Sequence, residues 1–165
     1  MVISNSSPLI HLTRLGKIEY LLELVKKIKI PEAVFDEVVI RGKNNHFSEA
    51  FIIERFIKEE KILVIKLDPF DRSFYPPLGS GELEALELAN QNKELLIIDE
   101  KKARNLAQIL KIEHQTTLTT IFELFISKII DYSEYISNIK KCAEDSWISA
   151  DVIQEYIEKG EKFGR

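Results

Sequence analysis

One cysteine, Cys142, stands in a chain of 165 residues, which excludes both an internal disulfide and a thiolate-based zinc site. His11, His46 and His114 are the only histidines, and they show no metal-ligand spacing. Long hydrophobic runs are missing too. Even the segment Ile121 to Ile126 is broken by Glu123, far short of the ~20 apolar residues that a membrane-spanning helix needs. At the start, Met1-Val2-Ile3-Ser4, no basic stretch precedes an apolar one and no small-residue cleavage site follows, so no secretory signal is read and a cytoplasmic location is expected. An excess of positive charge is lacking as well: 23 Lys and Arg against 27 Asp and Glu give a formal net charge of −4. That balance argues against broad electrostatic capture of nucleic acid and leaves room only for a local basic face. No glycine-rich cradle and no phosphate-binding lysine on a late strand is visible, which argues against a small phosphate-ester hydrolase or a response-regulator-like module.

What is there is an ordinary globular composition, 45% hydrophobic and 30% charged, in a chain long enough for one substantial core. Val2 to Ser4 reads as a strand and Asn5-Ser6-Ser7-Pro8 as a turn. Ser6 or Ser7 can cap the helix that follows, where Leu9, Ile10, Leu12 and Leu15 recur at helical spacing before Gly16. A second amphipathic helix covers Ile18 to Lys26 and a strand covers Ile28 to Ile30. Pro31 then opens a helix with Ala33, Val34, Val38 and Val39 facing inward. Gly42 to Asn45 reads as a loop, Phe47 to Glu60 as a helix and Ile62 to Leu67 as a strand. Asp68 to Ser80, with Pro69, Pro76, Pro77 and Gly79, reads as an exposed loop. A strong helix begins at Gly81 and Glu82, Leu95 to Ile98 is a buried strand, Lys101 to Leu110 a helix, and Lys111 to His114 a last short strand. Thr116 to Lys128, Ser133 to Cys142 and Ser149 to Lys159 are further helices. The alternation predicts a single α/β domain with a central parallel sheet of about four to five short strands, right-handed crossovers and helices on both faces. Residues 130–165 form a C-terminal helical extension of it.

Where the apolar runs give out, carboxylates stand: Glu37, Glu82 and Asp99, with Glu84 and Glu100 as register alternatives and Asn5 in the corresponding place after the first strand. Oxygen donors delivered from separate segments to the carboxyl ends of parallel strands point to a divalent-cation site. Each also has a plainer use. Asn5 can shape its turn, Glu82 suits a helix N-terminus, Asp99 can cap the helix at Lys101, and Glu37 on a half-buried helix can simply be solvated. His11 reads as a core or edge residue. The pairs Phe51, Phe56 and Phe122, Phe125 read as core or dimer contacts, and Trp147 as packing. Arg14, Lys17, Lys101, Lys102 and Arg104 place basic side chains near the acidic tips, or form solvated helix faces.

The chain resembles the PIN-domain nucleases, in particular a prokaryotic branch related to the toxin components of toxin-antitoxin pairs. Four blocks carry the likeness: Val2 to Ile10 (VISNSSPLI), Pro31 to Val38 (PEAVFDEV), Leu78 to Ala89 (LGSGELEALELA) and Leu95 to Arg104 (LLIIDEKKAR). Trp147 to Tyr156 (WISADVIQEY) is similar to the closing helix of that branch. The resemblance implies a PIN-like fold and Mg²⁺- or Mn²⁺-dependent hydrolysis of RNA phosphodiesters. It implies Glu37, Glu82 and Asp99 as catalytic acids and metal ligands, with Asn5 where the family has its first Asp and Ser7 beside the metal. Arg14, Lys101, Lys102 and Arg104 are the expected RNA contacts. A homodimer and a small antitoxin-like protein are the expected partners, with no membrane. The alternative is a catalytically impaired relative that binds RNA or a protein partner, since Asn5 offers only a neutral carbonyl oxygen.

Overall fold

Val2, Ile3 and Ser4 are all buried, as a strand covered on both faces requires, and this strand, β1 (Val2–Ser4), is the middle of the sheet. The computed structural model describes residues 1–145 and 148–164, and the chain divides into two compact units, Met1–Thr116 and Thr117–Arg165. Trp147 lies outside the described residues.

The first unit alternates strand and helix. After β1 come α1 (Ser6–Arg14), α2 (Ile18–Val25), β2 (Ile28–Pro31) and α3 (Glu32–Phe35), which runs directly into a π-helical stretch at Asp36–Arg41 and then α4 (Gly42–Asn44). Next are α5 (Ser48–Lys58), β3 (Ile62–Ile65), a 3₁₀ turn at Arg72–Phe74, α6 (Ser80–Asn92), β4 (Leu96–Ile97), α7 (Lys101–Ile109) and β5 (His114–Gln115). The sheet has five parallel strands in the order β3-β2-β1-β4-β5, the α/β architecture expected from the alternation. The register pairs Val2 with Ile28 on one side of β1 and Ile3 with Leu96 on the other.

One core lies where α6 and α7 meet the sheet. Ala85, Leu86 and Ala89 of α6 and Ala103 and Ala107 of α7 pack with Ile3, Leu96, Ile98 and Ile112. Alanines at i and i+4 on α7 let that helix approach closely. The longest connection, between β3 and α6, is fastened to α6 by the Tyr75 hydroxyl, which donates to the buried Glu87 carboxylate, while Gln91 donates to the other Glu87 oxygen at 2.8 Å. Burial and the Glu87 charge together push the Tyr75 phenol up to about 12.

Several local expectations are corrected. Gly42 to Asn45 is not a loop. Helical backbone continues through Gly42, whose missing side chain admits Ala50: a Cβ there would lie 2.9 Å from the Ala50 Cβ. Here glycine serves close packing instead of flexibility. Neither Ser6 nor Ser7 is the cap of α1, since both lie inside the helix and Asn5 holds the N-cap position. The last strand sits slightly later than Lys111 to His114, because Lys111 adopts a left-handed φ of 56° and closes the turn after α7. Of the first aromatic pair, Phe56 is core and Phe51 is exposed.

The second unit contains α8 (Thr117–Ile126), α9 (Tyr132–Asp145) and α10 (Ala150–Phe163). Tyr135 is its fully buried centre. Its ring stacks on Phe125 at 4.8 Å between centroids and lies 5.9 Å from Phe122, so this second aromatic pair, itself half-buried, packs against the buried Tyr135. The Tyr135 hydroxyl donates to the Tyr156 carbonyl at 2.5 Å, and α10 passes over the ring at Gly160, where any side chain would collide with it. Among the described residues, no helix is long and apolar enough to cross a membrane.

Candidate metal centre

The chain leaves β1 toward β2 on one side, while β4 pairs with β1 on the other, so β1 and β4 flank the switch point of the sheet. Open α/β sheets bind ligands in the crevice at that point, beyond the carboxyl ends of the strands. Asn5 follows β1 there directly, and Asp99 follows β4 after the buried Ile98.

Asn5 is 2% exposed and its Oδ1 has no hydrogen-bond partner. Its backbone is ordinary extended chain, φ −86° and ψ −174°, and its side chain makes no capping bond to α1. A turn-shaping asparagine shows either a left-handed backbone or a side-chain bond to a nearby amide, and Asn5 shows neither. A buried carbonyl oxygen without a hydrogen-bond partner costs about 1–3 kcal/mol, so a turn-shaping role does not account for Asn5.

Glu37 lies on the π-helical stretch, a distortion often found at functional sites. The Ser6 hydroxyl donates to Glu37 Oε2, and the Gly81 amide donates to Glu37 Oε1 at 3.2 Å. One carboxylate thus joins the first turns of α1 and α6, where unpaired amides and the helix dipoles favour negative charge. Gly81 makes this possible, because a Cβ on it would lie 2.5 Å from Glu37 Oε2. Ser7, the hydroxyl expected beside the metal, is exposed; Ser6 is the serine that reaches Glu37.

Glu82 lies in the first turn of α6 and accepts the backbone N–H of Gly79, the N-cap. This is half of a capping box, and glycine has no side chain to complete the other half. Burial pushes the Glu82 carboxyl above the usual Glu range, the Gly79 amide pulls it back, and the charges of Glu37 and then Glu100 push it up again. Glu37, Glu82 and Glu100 therefore share one electrostatic neighbourhood.

Asp99 does not cap α7. That place belongs to Glu100, whose carboxylate accepts the Lys102 amide at 3.3 Å. The Asp99 carboxylate instead meets His11 Nδ1 at 3.3 Å, and its backbone carbonyl accepts from the Arg104 guanidinium. The other register alternative, Glu84, is committed elsewhere. It accepts the Ala33 amide at 3.0 Å and Arg72 at 2.7 Å, in a cleft shared with Glu32, Leu67, Asp68 and Phe70.

Among the described residues, no three His, Cys, Asp or Glu side chains close into a metal-ligand set. Each of these carboxylates accepts from an N–H or O–H donor: Glu37 from Ser6 and Gly81, Glu82 from Gly79, Asp99 from His11. The donor chemistry nonetheless fits a hard divalent cation. Every candidate atom is oxygen, and the buried Asn5 Oδ1 is an acceptor with no hydrogen-bond donor beside it.

The basic residues divide. Arg14 is held by Glu49, with Nε at 2.8 Å and Nη2 at 2.5 Å from the same oxygen. Burial would raise the Glu49 carboxyl, but its own amide, Arg14 and Ser48 outweigh that and hold it below the usual range. Arg104 is half-buried against Asp99, whereas Lys101 and Lys102 are exposed at the start of α7. Sequence reasoning missed the contacts of Ser6 and His11. The only signal for His11 is a polar residue set among Leu9, Ile10 and Leu12 on an otherwise apolar helix face.

A family profile described as the PIN domain matches residues 1–162. No curated protein matches the chain. A solved structure described as a domain of a functionally unknown protein from Methanocaldococcus jannaschii is similar at 21% identity and a TM-score of 0.49, covering 70% of this chain and 89% of that one. Since the family profile spans nearly the whole chain, the chain belongs to the PIN-domain family, a nuclease superfamily whose members use divalent metals.

Proposed function

We propose that this protein is a divalent-metal-dependent endoribonuclease. The observation that carries the reading is the buried, unpartnered Asn5 Oδ1 at the switch point of the sheet, with Asp99 following the adjacent strand. Asn5, Glu37, Glu82 and Asp99 are the residues that would hold Mg²⁺ or Mn²⁺. When bound, such an ion supplies Lewis acidity and charge neutralisation for phosphodiester hydrolysis. The protein's own part is positioning. Ser6 and the Gly81 amide hold Glu37, the Gly79 amide holds Glu82, and Arg104 fixes the backbone of Asp99. Lys101 and Lys102, exposed on the turn after Asp99, meet the phosphates flanking the cut.

Purified protein incubated with a structured RNA and Mn²⁺ should yield fragments that disappear with EDTA and in Glu82→Gln and Asp99→Asn variants. Cutting that persists in both variants would falsify the assignment. A second reading, an RNA- or partner-binding domain that does not cut, is favoured by the neutral Asn5 in a ligand set otherwise built of acids. Under that reading the wild type is inert, and Asn5→Asp alone raises metal affinity or activity.

The toxin role extends the proposal. Expression should arrest growth, and a small antitoxin-like protein encoded beside it should relieve the arrest. Homodimerisation is proposed as well, supported by exposed Ile40, Phe47, Phe51 and Ile52 in the region from the π-helical stretch to α5. Light scattering giving a monomer mass at micromolar concentration would refute it.

A further inference from the structure

His11 lies on α1, and its ring turns to the Asp99 carboxylate, with Nδ1 3.3 Å from Oδ2. The two side chains are 22% and 25% exposed, so water competes only partly for the bond. An ionised carboxylate can only accept, which puts the hydrogen on Nδ1 whether the ring is neutral or charged. Residues 11 and 99 come from α1 and from the junction of β4 with α7, so the bond ties the helix that follows β1 to the segment that follows β4.

The backbone of Asp99 is already fixed. Ile98 before it is fully buried, and its own carbonyl accepts from Arg104. The His11 bond adds a constraint on the side-chain rotation of Asp99, because a donor on one carboxylate oxygen restricts its torsion. Ordering a ligand beforehand lowers the entropic cost of closing on a cation, and such supporting hydrogen bonds recur around metal ligands for that reason.

We propose that His11 is a positioning residue for divalent-cation binding: its Nδ1–H···Oδ2 bond holds the Asp99 carboxylate ready to ligate the ion. The inference rests on the reading of Asp99 as a ligand. It assigns His11 no contact with the cation and no part in proton transfer.

The test is calorimetric titration of Mn²⁺ into metal-free wild type and into Asp99→Asn, His11→Phe, His11→Asn and His11→Gln variants. Asparagine carries its amide N–H at the level of Nδ1 and glutamine at the level of Nε2, so the pair separates the two ring nitrogens. Binding should weaken most in Asp99→Asn, which keeps only a neutral amide oxygen, and about 10-fold or more in His11→Phe, the usual scale for losing such a support. His11→Asn should return to within about threefold of wild type and His11→Gln should not. The metal-free His11→Asn and His11→Gln proteins should melt together, so that a difference between them in Mn²⁺ affinity reports the ring nitrogen and not a loss of fold. If His11→Phe binds as wild type while Asp99→Asn does not, the role of His11 is overturned and Asp99 stands as a ligand. Rescue by glutamine in place of asparagine overturns it in favour of direct ligation through Nε2. Equal binding by wild type and Asp99→Asn overturns the site reading and this inference together.

Discussion

Asn5 and Glu82 carry opposite kinds of electrostatic tension. Asn5 is a neutral amide whose oxygen is buried and unpartnered. Replacing it with aspartate buries a charge, so the metal-free Asn5→Asp protein should lose on the order of 2–4 kcal/mol. Urea unfolding with and without Mn²⁺ checks this: the variant should recover more stability from the metal than wild type does, by mass action on a tighter site. Glu82 is a carboxylate raised by burial and by the charges of Glu37 and Glu100. A raised carboxyl binds protons in the folded state that the unfolded chain has already released. Its contribution therefore falls as pH rises from the ordinary Glu range through the raised one. Glu82→Gln removes the ionisation and should be more stable than wild type at pH 7. That gain should disappear in acid, where Glu82 is protonated in both states, and urea midpoints at the two pH values measure it.

Among the elements, α1 does the most to organise the site. Its first residue, Ser6, holds Glu37; His11 meets Asp99; Arg14 clasps Glu49. Each partner lies at least 31 residues away in the chain, so this helix assembles carboxylates that the sequence keeps apart. Glu49 is only 8% exposed at its side chain, and Arg14→Ala strands it. The expected loss is about 1–3 kcal/mol in chemical unfolding, with Arg14→Lys recovering only part because both Arg14 nitrogens share one oxygen. In the helical unit, Gly160→Ala should destabilise by about 1–3 kcal/mol, since the added methyl meets the Tyr135 ring. The better helix propensity of alanine, about 1 kcal/mol, offsets only part of that. A thermal melt in which Gly160→Ala gains stability would show that the ring yields.

At the scale of the molecule, the sheet was legible in the sequence because its central strands are short apolar runs that end abruptly: Ser4 and Ile98 are the last buried residues before Asn5 and Asp99. Periodicity also located most helices. It failed at Gly42, where glycine answers a neighbour 8 residues on that no local pattern announces. The acids themselves could be picked out, but not their present partners. Ser6 against Ser7, and Glu100 against Asp99 as the cap of α7, depend on a register that only the folded backbone sets. Asn5 could not be decided between turn and ligand from sequence, because its burial and its ordinary dihedral angles are properties of the fold.

If Asn5, Glu82 and Asp99 hold a cation, it must sit at the switch point of the sheet, between the ends of β1 and β4. Crystals soaked in Mn²⁺ and measured for anomalous scattering test this most directly. One strong peak is expected at the ends of β1 and β4, ligated by oxygens of Asn5, Glu82 and Asp99 at distances near the roughly 2.0–2.1 Å typical of Mg²⁺ sites. A peak only at Glu84 and Asp68, or none at saturating metal, would contradict it.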